Sequence, residues 1–199
     1  HFDQLQHHYR VHKEIADLYR HHYLKPLAER LPHQQSATIP FPMPISLRSI
    51  HRRAVFIPHS HKDSGRKNAK EVQIISSLVK DFISQGIEPS QIGIVTPFRQ
   101  QINALRAQLP YVGLTIDTVE RFQGDERDII IYSACINNGR WLSRIQAINH
   151  SPPRHTDTRL LVAISRAKHL FIMTGNPDIL LQDTHYEEVI TRCQIITLP

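Results

Sequence analysis

Residues 51–199 spell a mostly parallel α/β sheet with helices on both faces. Short apolar runs recur there without the in–out alternation of a half-solvated strand, as expected of strands covered on both sides. Segments whose apolar residues follow helical spacing separate those runs. A repeated strand–helix rhythm is satisfied by right-handed crossovers between parallel strands.

The elements follow in chain order. Over residues 2 to 30, Leu5, Tyr9, Ile15, Leu18, Tyr19, Tyr23 and Leu24 recur at near-helical spacing, which predicts one or two helices ending at Lys25-Pro26. Pro32, Pro40, Pro42 and Pro44 then stand among polar residues and predict an extended boundary. Residues 1–50 are thus set apart as a helical segment and Pro-rich connector ahead of one domain over 51–199. In that domain Ala54 to Pro58 reads as a strand. Asn68 to Gln85 reads as a helix with Val72, Ile75, Ser76, Leu78, Val79, Phe82 and Ile83 on one face. Ile92 to Val95 is a strand, Phe98 to Leu109 a helix and Leu114 to Val119 a strand. Ile129 to Ala134 and Leu170 to Thr174 are near-continuous apolar runs, suited to central parallel strands. Between them residues 137–158 hold the sole tryptophan, Trp141, with Asn-Asn-Gly and Ser-Pro-Pro, and read as a surface insertion leading into a helix from Arg159 to Ala167.

Composition removes several classes. At 199 residues, 40% hydrophobic and 21% charged, the chain has ordinary globular usage and is unlike disordered, collagen-like or disulfide-scaffold sequences. Cys135 and Cys193 are the only cysteines and form no CxxC, so they are expected to be reduced, buried thiols. No apolar run approaches the roughly 20 residues of a membrane span, and no signal peptide is legible at the start; the expectation is a cytoplasmic domain, without membrane contact, cut from a longer protein. Lys plus Arg at 24 against Asp plus Glu at 18 gives 24 − 18 = +6, which favours polyanionic partners. His8 and His12 stand four apart, but no Cys or carboxylate completes a ligand set, so no metal site is expected.

Four segments carry candidate chemistry. Thr96, after the strand ending at Val95, is either the start of a helix with Pro97 as its first residue or a hydroxyl donor to a backbone phosphate. Asp117 to Asp128 (DTVERFQGDERD) is a dense polar loop between apolar strands, and Gly124 in it permits close approach to a ligand or a positive φ. Arg159 and Arg166 are seven apart, so both guanidinium groups are expected on one helix face, where a rigidly held guanidinium can stabilise charge on a phosphoryl group. Tyr9-Arg10 sets an aromatic platform beside a cation, which fits a stacked base next to a phosphate and equally fits a half-buried amphipathic helix. No GxxxxGK[ST], GxGxxG, GxSxG or HExxH is present, so no phosphate loop with its lysine lies in this chain.

Taken in order, Leu5 to His12, Ile94 to Phe98, Asp117 to Glu126 and Arg159 to Lys168 resemble the C-terminal half of superfamily 1 helicases, in the branch of the nonsense-mediated decay RNA helicase and its DNA helicase-nuclease relatives. The resemblance covers nearly the whole chain, with DTVERFQGDERD and LLVAISRAK its strongest parts. It implies a RecA-like domain of the P-loop NTPase type lacking its own Walker A loop. Such a domain closes on an N-terminal RecA-like domain with ATP and Mg²⁺ between them. By motif, the resemblance makes Tyr9 the adenine-stacking residue and Arg10 a cation for the γ-phosphate. It makes Glu126 the acidic residue near ribose and phosphates, beside Gly124, and Arg166 the arginine finger. Thr96 and Thr118 match the hydroxyls that grip single-stranded DNA or RNA on the opposite face. The family's His-Pro after Tyr-Arg is His12-Lys13 here. The implied function is an ATP-dependent helicase motor, with the isolated chain inactive; the alternative is a non-catalytic nucleic-acid-binding or interaction module that kept the fold.

Overall fold

The computed structural model describes residues 7–8, 11–20, 28–29, 31–63, 65–122, 124–149 and 156–198. In chain order the elements are β1 (His7–His8), α1 (Lys13–Ala16), β2 (Ala28–Glu29), β3 (Ala54–Pro58), α2 (Ala69–Ser84), β4 (Ile92–Val95), α3 (Arg99–Gln108), β5 (Thr115–Asp117), β6 (Arg127–Ser133), α4 (Leu142–Ile145), β7 (Ile148–Asn149), β8 (Thr156–Asp157), α5 (Thr158–Ser165), β9 (Ala167–Gly175), α6 (Pro177–Leu180), α7 (Thr184–Arg192) and β10 (Gln194–Ile195). Six strands form one sheet in the order β10-β3-β9-β6-β4-β5, every neighbouring pair parallel. This is the expected α/β, RecA-like layout of a parallel sheet flanked by helices.

The continuous apolar strands sort their side chains onto two faces. Phe56, Val95, Ile130, Tyr132, Phe171 and Met173 point to one core, shared with Leu160 and Ile164 of α5 and with Tyr186 and Val189 of α7. Val55, Ile57, Ile94, Ile131 and Ile172 point to the other, against Ile75, Leu78 and Phe82 of α2 and Ile102 and Leu105 of α3. Register follows from this sorting: Ile131 lies beside Ile94 and Ile172, and a one-residue slip would exchange the faces. Several of the helices start where a side chain satisfies their free N–H groups. Asn68 accepts from Glu71 N–H ahead of α2, Asp157 from Arg159 and Leu160 ahead of α5, and Asp183 from His185 and Tyr186 ahead of α7.

The first 50 residues differ most from expectation. In place of one or two helices over 2–30, the described parts hold the four-residue α1 and a parallel pairing of His7–His8 with Ala28–Glu29. Ile15, Ala16, Leu18 and Tyr19 are buried by packing on the α5 side of the sheet, so burial satisfies the apolar spacing without a long helix. The connector is also fastened down: Leu47 is fully buried, and Ile39, Phe41 and Met43 pack on the opposite core. Arg53, 2% exposed, donates to the carbonyls of Ser36, Thr38 and His169, and Glu14 accepts from its backbone N–H at 2.9 Å. Residues 137–149 are half interior, since α4 buries Leu142 and Ile145. Past Thr174, α6, α7 and β10 add elements that the sequence reading left unassigned. No described helix is long and apolar enough to cross a membrane.

Candidate functional site

The segment joining β5 to β6 has to travel from the carboxyl edge of the sheet to its amino edge, because the two strands are parallel and β4 lies between them. Residues 118–122 and 124–126 lie on this crossing over β4, and Gly93 makes room for it. A Cβ at Gly93 would stand 2.8 Å from both the Phe122 ring and Ile130 Cδ1. Phe122 is fully buried there and anchors the crossing. Gly124 has φ +97° with open space around it, so it is required for the backbone turn and not for packing. The loop thus carries Thr118 at one edge of the sheet and Gly124 with Glu126 at the other.

At the amino edge the end of α5 meets this loop. Arg166 caps α5 and its guanidinium donates to the carbonyls of Val162 (3.2 Å) and Asp125 (3.4 Å) and to Ser165 Oγ (3.1 Å). The Arg166 carbonyl accepts from Arg127 N–H at 3.0 Å, and Lys168 Nζ lies 2.9 Å from Glu126 Oε1. Gly124, Glu126, Arg166 and Lys168 therefore share one half-exposed edge. His12 N–H donates to the Lys168 carbonyl, which brings the N-terminal segment to the start of β9. Tyr9 and Arg10 lie outside the described residues. Arg159, expected on one helix face with Arg166, has partners of its own. It sits in the first turn of α5 while Arg166 follows the last, and it pairs with Glu120 at 2.8 Å and reaches the Arg144 and Ile145 carbonyls. Burial pushes the Glu120 carboxyl up, but hydrogen bonds from its own N–H and Thr118 and the Arg159 guanidinium outweigh this and leave it below the usual carboxylate range.

At the carboxyl edge a groove of 580 Å³ is lined by Pro97, Arg99, Arg106, Asp117, Thr118 and Arg121, among others. Arg106 donates to the Ile116 carbonyl at 2.7 Å, and Asp117 Oδ2 faces Arg106 at 3.5 Å and Arg121 at 3.7 Å. Thr118 is half-buried, and its N–H donates to Asp117 Oδ1 at 2.8 Å. Thr96 does not reach this groove. It is fully buried, its N–H ties the end of β4 to the Asp117 carbonyl at 3.2 Å, and its hydroxyl faces the interior. Nor does it start a helix: Phe98 is the cap residue of α3, and the helix begins at Arg99.

Sequence reasoning missed a buried polar network behind this edge. Glu71 of α2, fully buried, accepts from Ser133 Oγ at 2.6 Å and Cys135 N–H at 3.0 Å, and lies 3.2 Å from His59 Nε2. Asn68 bonds Asn137 at 2.7 Å, and Gln101 donates to Ser133 at 3.0 Å. The network clamps the ends of β3 and β6 to α2 and α3. Its one sequence signal is a glutamate four residues before Ile75 on the apolar side of α2. Burial and the nearby Glu71 carboxylate push the Cys135 thiol well up, and burial does the same to Cys193, pushed up to about 12; both stay protonated and inert. Among the described residues no group of three or more His, Cys, Asp or Glu could hold a metal ion. His12 instead caps α1, accepting from Glu14 N–H at Nδ1, with Nε2 3.0 Å from the Ser36 carbonyl.

A family model described as an AAA domain matches residues 1–178. The chain is 29% identical to a Regulator of nonsense transcripts 1 homolog of Arabidopsis thaliana, over 93% of this chain and 16% of that protein. It is 34% identical to the homolog of the same name from Drosophila melanogaster, over 62% of this chain and 10% of that protein. It is 31% identical to the DNA replication ATP-dependent helicase/nuclease DNA2 of Bos taurus, over 66% of this chain and 12% of that protein. The chain thus spans 16% or less of the length of each of these three relatives. A crystal structure of methylated PRRSV nsp10 (helicase) superposes with a TM-score of 0.39 at 15% identity, over 90% of this chain and 25% of that one.

Proposed function

The chain belongs to the AAA domain family of superfamily 1 helicases, and from that premise we propose that it is the C-terminal motor domain of an ATP-dependent nucleic-acid helicase. The observation that carries this reading is the single crossover loop, which presents Gly124 and Glu126 beside Arg166 at one sheet edge and Thr118 in an arginine-lined groove at the other. In the proposed cycle Arg166 turns from the Val162 and Asp125 carbonyls toward the γ-phosphate of ATP, neutralising charge as the phosphoryl group leaves. Tyr9 and Arg10 supply the adenine platform and a second cation. Glu126, oriented by Lys168, and the open backbone at Gly124 face the ribose and phosphates. In this reading Mg²⁺ and the phosphate loop are contributed by an N-terminal RecA-like domain. Thr118, Arg99 and Arg121 are proposed to hold the phosphates of a single strand, while Thr96 acts behind them by fixing Asp117. Because the loop is one piece pinned at Phe122, movement at the nucleotide edge is transmitted to the strand edge.

The test is Arg166→Ala in the full-length helicase. Nucleotide affinity is expected to be largely retained and kcat to fall by about 10³ or more. An unchanged kcat overturns the finger assignment. The 199-residue chain alone is expected to hydrolyse no ATP, and Mg²⁺-dependent turnover by it would show that the phosphate machinery has been misplaced.

A further inference from the structure

Trp141 is left unused by the reading above. Its indole is half-buried, and the guanidinium carbons of Arg66 and Arg144 stand 5.1 and 4.8 Å from its ring centroid. Phe98 meets it edge-on at 5.7 Å and 78°. The cluster is built rather than incidental. Asn137, 4% exposed, donates to the carbonyls of Gly65 (3.0 Å) and Lys67 (2.9 Å), the two residues flanking Arg66, and so fastens that loop to the base of the turn carrying Trp141. On the other side Arg159, paired with Glu120 of the crossover loop, holds the Arg144 carbonyl. Arg66, Arg140 and Arg144 are exposed, and none has an ion pair with a described residue. Two like charges held against one indole with no acid between them repel each other and attract a polyanion. The patch is continuous with the groove, since Phe98 touches Trp141 and the next residue, Arg99, lines the groove beside Thr118.

We propose that Trp141, Arg66 and Arg144 form a second contact site for single-stranded nucleic acid, in which the guanidinium groups take phosphates and the guanidinium–indole stack receives a base of a strand running past Phe98 from the Thr118 groove. The inference rests on the helicase reading and extends its strand path across residues 137–149. Aromatic and guanidinium planes stack any base, so the site discriminates by strandedness and not by sequence.

Trp141 is the sole tryptophan, so its emission reports this site directly. The protein is titrated with fluorescein-labelled oligouridine and oligothymidine, following anisotropy for binding and tryptophan emission for the site. The expectation is quenching that tracks the anisotropy curve. Arg66→Gln with Arg144→Gln, a surface change that spares the core, is expected to weaken binding about tenfold or more. It should also reduce the slope of log K against log salt by about 1.4, two phosphates at about 0.7 each. Trp141→Phe should retain part of the affinity and Trp141→Ala little. Strand binding with unaltered emission, and the same affinity and salt slope in the double variant, overturns this site and leaves the helicase reading standing. Failure to bind either strand at all removes the helicase reading, and this site with it. Polyglutamate that quenches and competes as strongly as the oligonucleotides would mark the patch as a docking surface for acidic protein and overturn the inference.

Discussion

Asp157 caps α5 with a carboxylate that solvent barely reaches, at 2% exposure. Its Oδ1 accepts from Arg159, Leu160 and Ala147 N–H groups at 3.0, 3.4 and 3.2 Å, while its buried Oδ2 has no hydrogen-bond partner among the described residues. Burial pushes the carboxyl up, and the three N–H donors offset this only in part. An unfolded aspartate titrates near about 3.9. Between that value and the higher native one, the folded chain holds a proton that the unfolded chain has released, so this group adds stability as pH falls through the window. Asp157→Asn keeps the cap acceptor and removes the charge. The variant is expected to melt above the wild type at neutral pH, with the gap closing toward about pH 4 as the wild-type carboxylate protonates. Thermal denaturation across that range checks this, and a gap that stays constant or widens on acidification contradicts it. From sequence, Asp157 reads as a polar residue before a helix. Its burial follows from the β7–β8 pairing and α7 above it, which no local pattern encodes.

Among the elements, the crossover over β4 links both candidate edges, and its geometry depends on a contact between Gly93 and Phe122. Gly93→Ala places a methyl at 2.8 Å from the Phe122 ring, and such overpacking costs about 1–3 kcal/mol. Phe122→Leu is destabilising by itself but opens space at the same point. In a double-mutant cycle the two changes together are therefore expected to cost less than their sum. Strict additivity would mean that Phe122 is not what Gly93 accommodates. The polar character of 117–128 was legible because charges between two apolar runs are conspicuous. That the loop spans the two edges of the sheet was not, because periodicity assigns strands without ordering them.

On the scale of the molecule, described residues from 11–19 pack on one face of the sheet and from 39–50 on the other, and Arg53 is a fastening point. Its guanidinium satisfies carbonyls of the connector and of β9 from a site where burial pulls its pKa down, Glu14 opposing. Arg53→Met is expected to free the connector. Hydrogen–deuterium exchange should rise across 31–50 while β6 and the body of β9 stay protected; equal loss of protection in β6 would instead make Arg53 a determinant of the whole core. Five strands of the main sheet, β3, β4, β5, β6 and β9, and the helices α2, α3 and α5 could be read in advance, because burial on two faces and helical apolar spacing leave a local imprint on residue type. Where Arg166, Glu126 and Thr118 lie relative to one another, why Thr96 is sealed inside, and how Glu71 is satisfied depended on the folded chain. Those facts are set by strand order and by partners 30 to 70 positions away, such as Gln101 with Ser133 and Glu71 with Cys135, and contacts at that separation leave no trace in any local window of sequence.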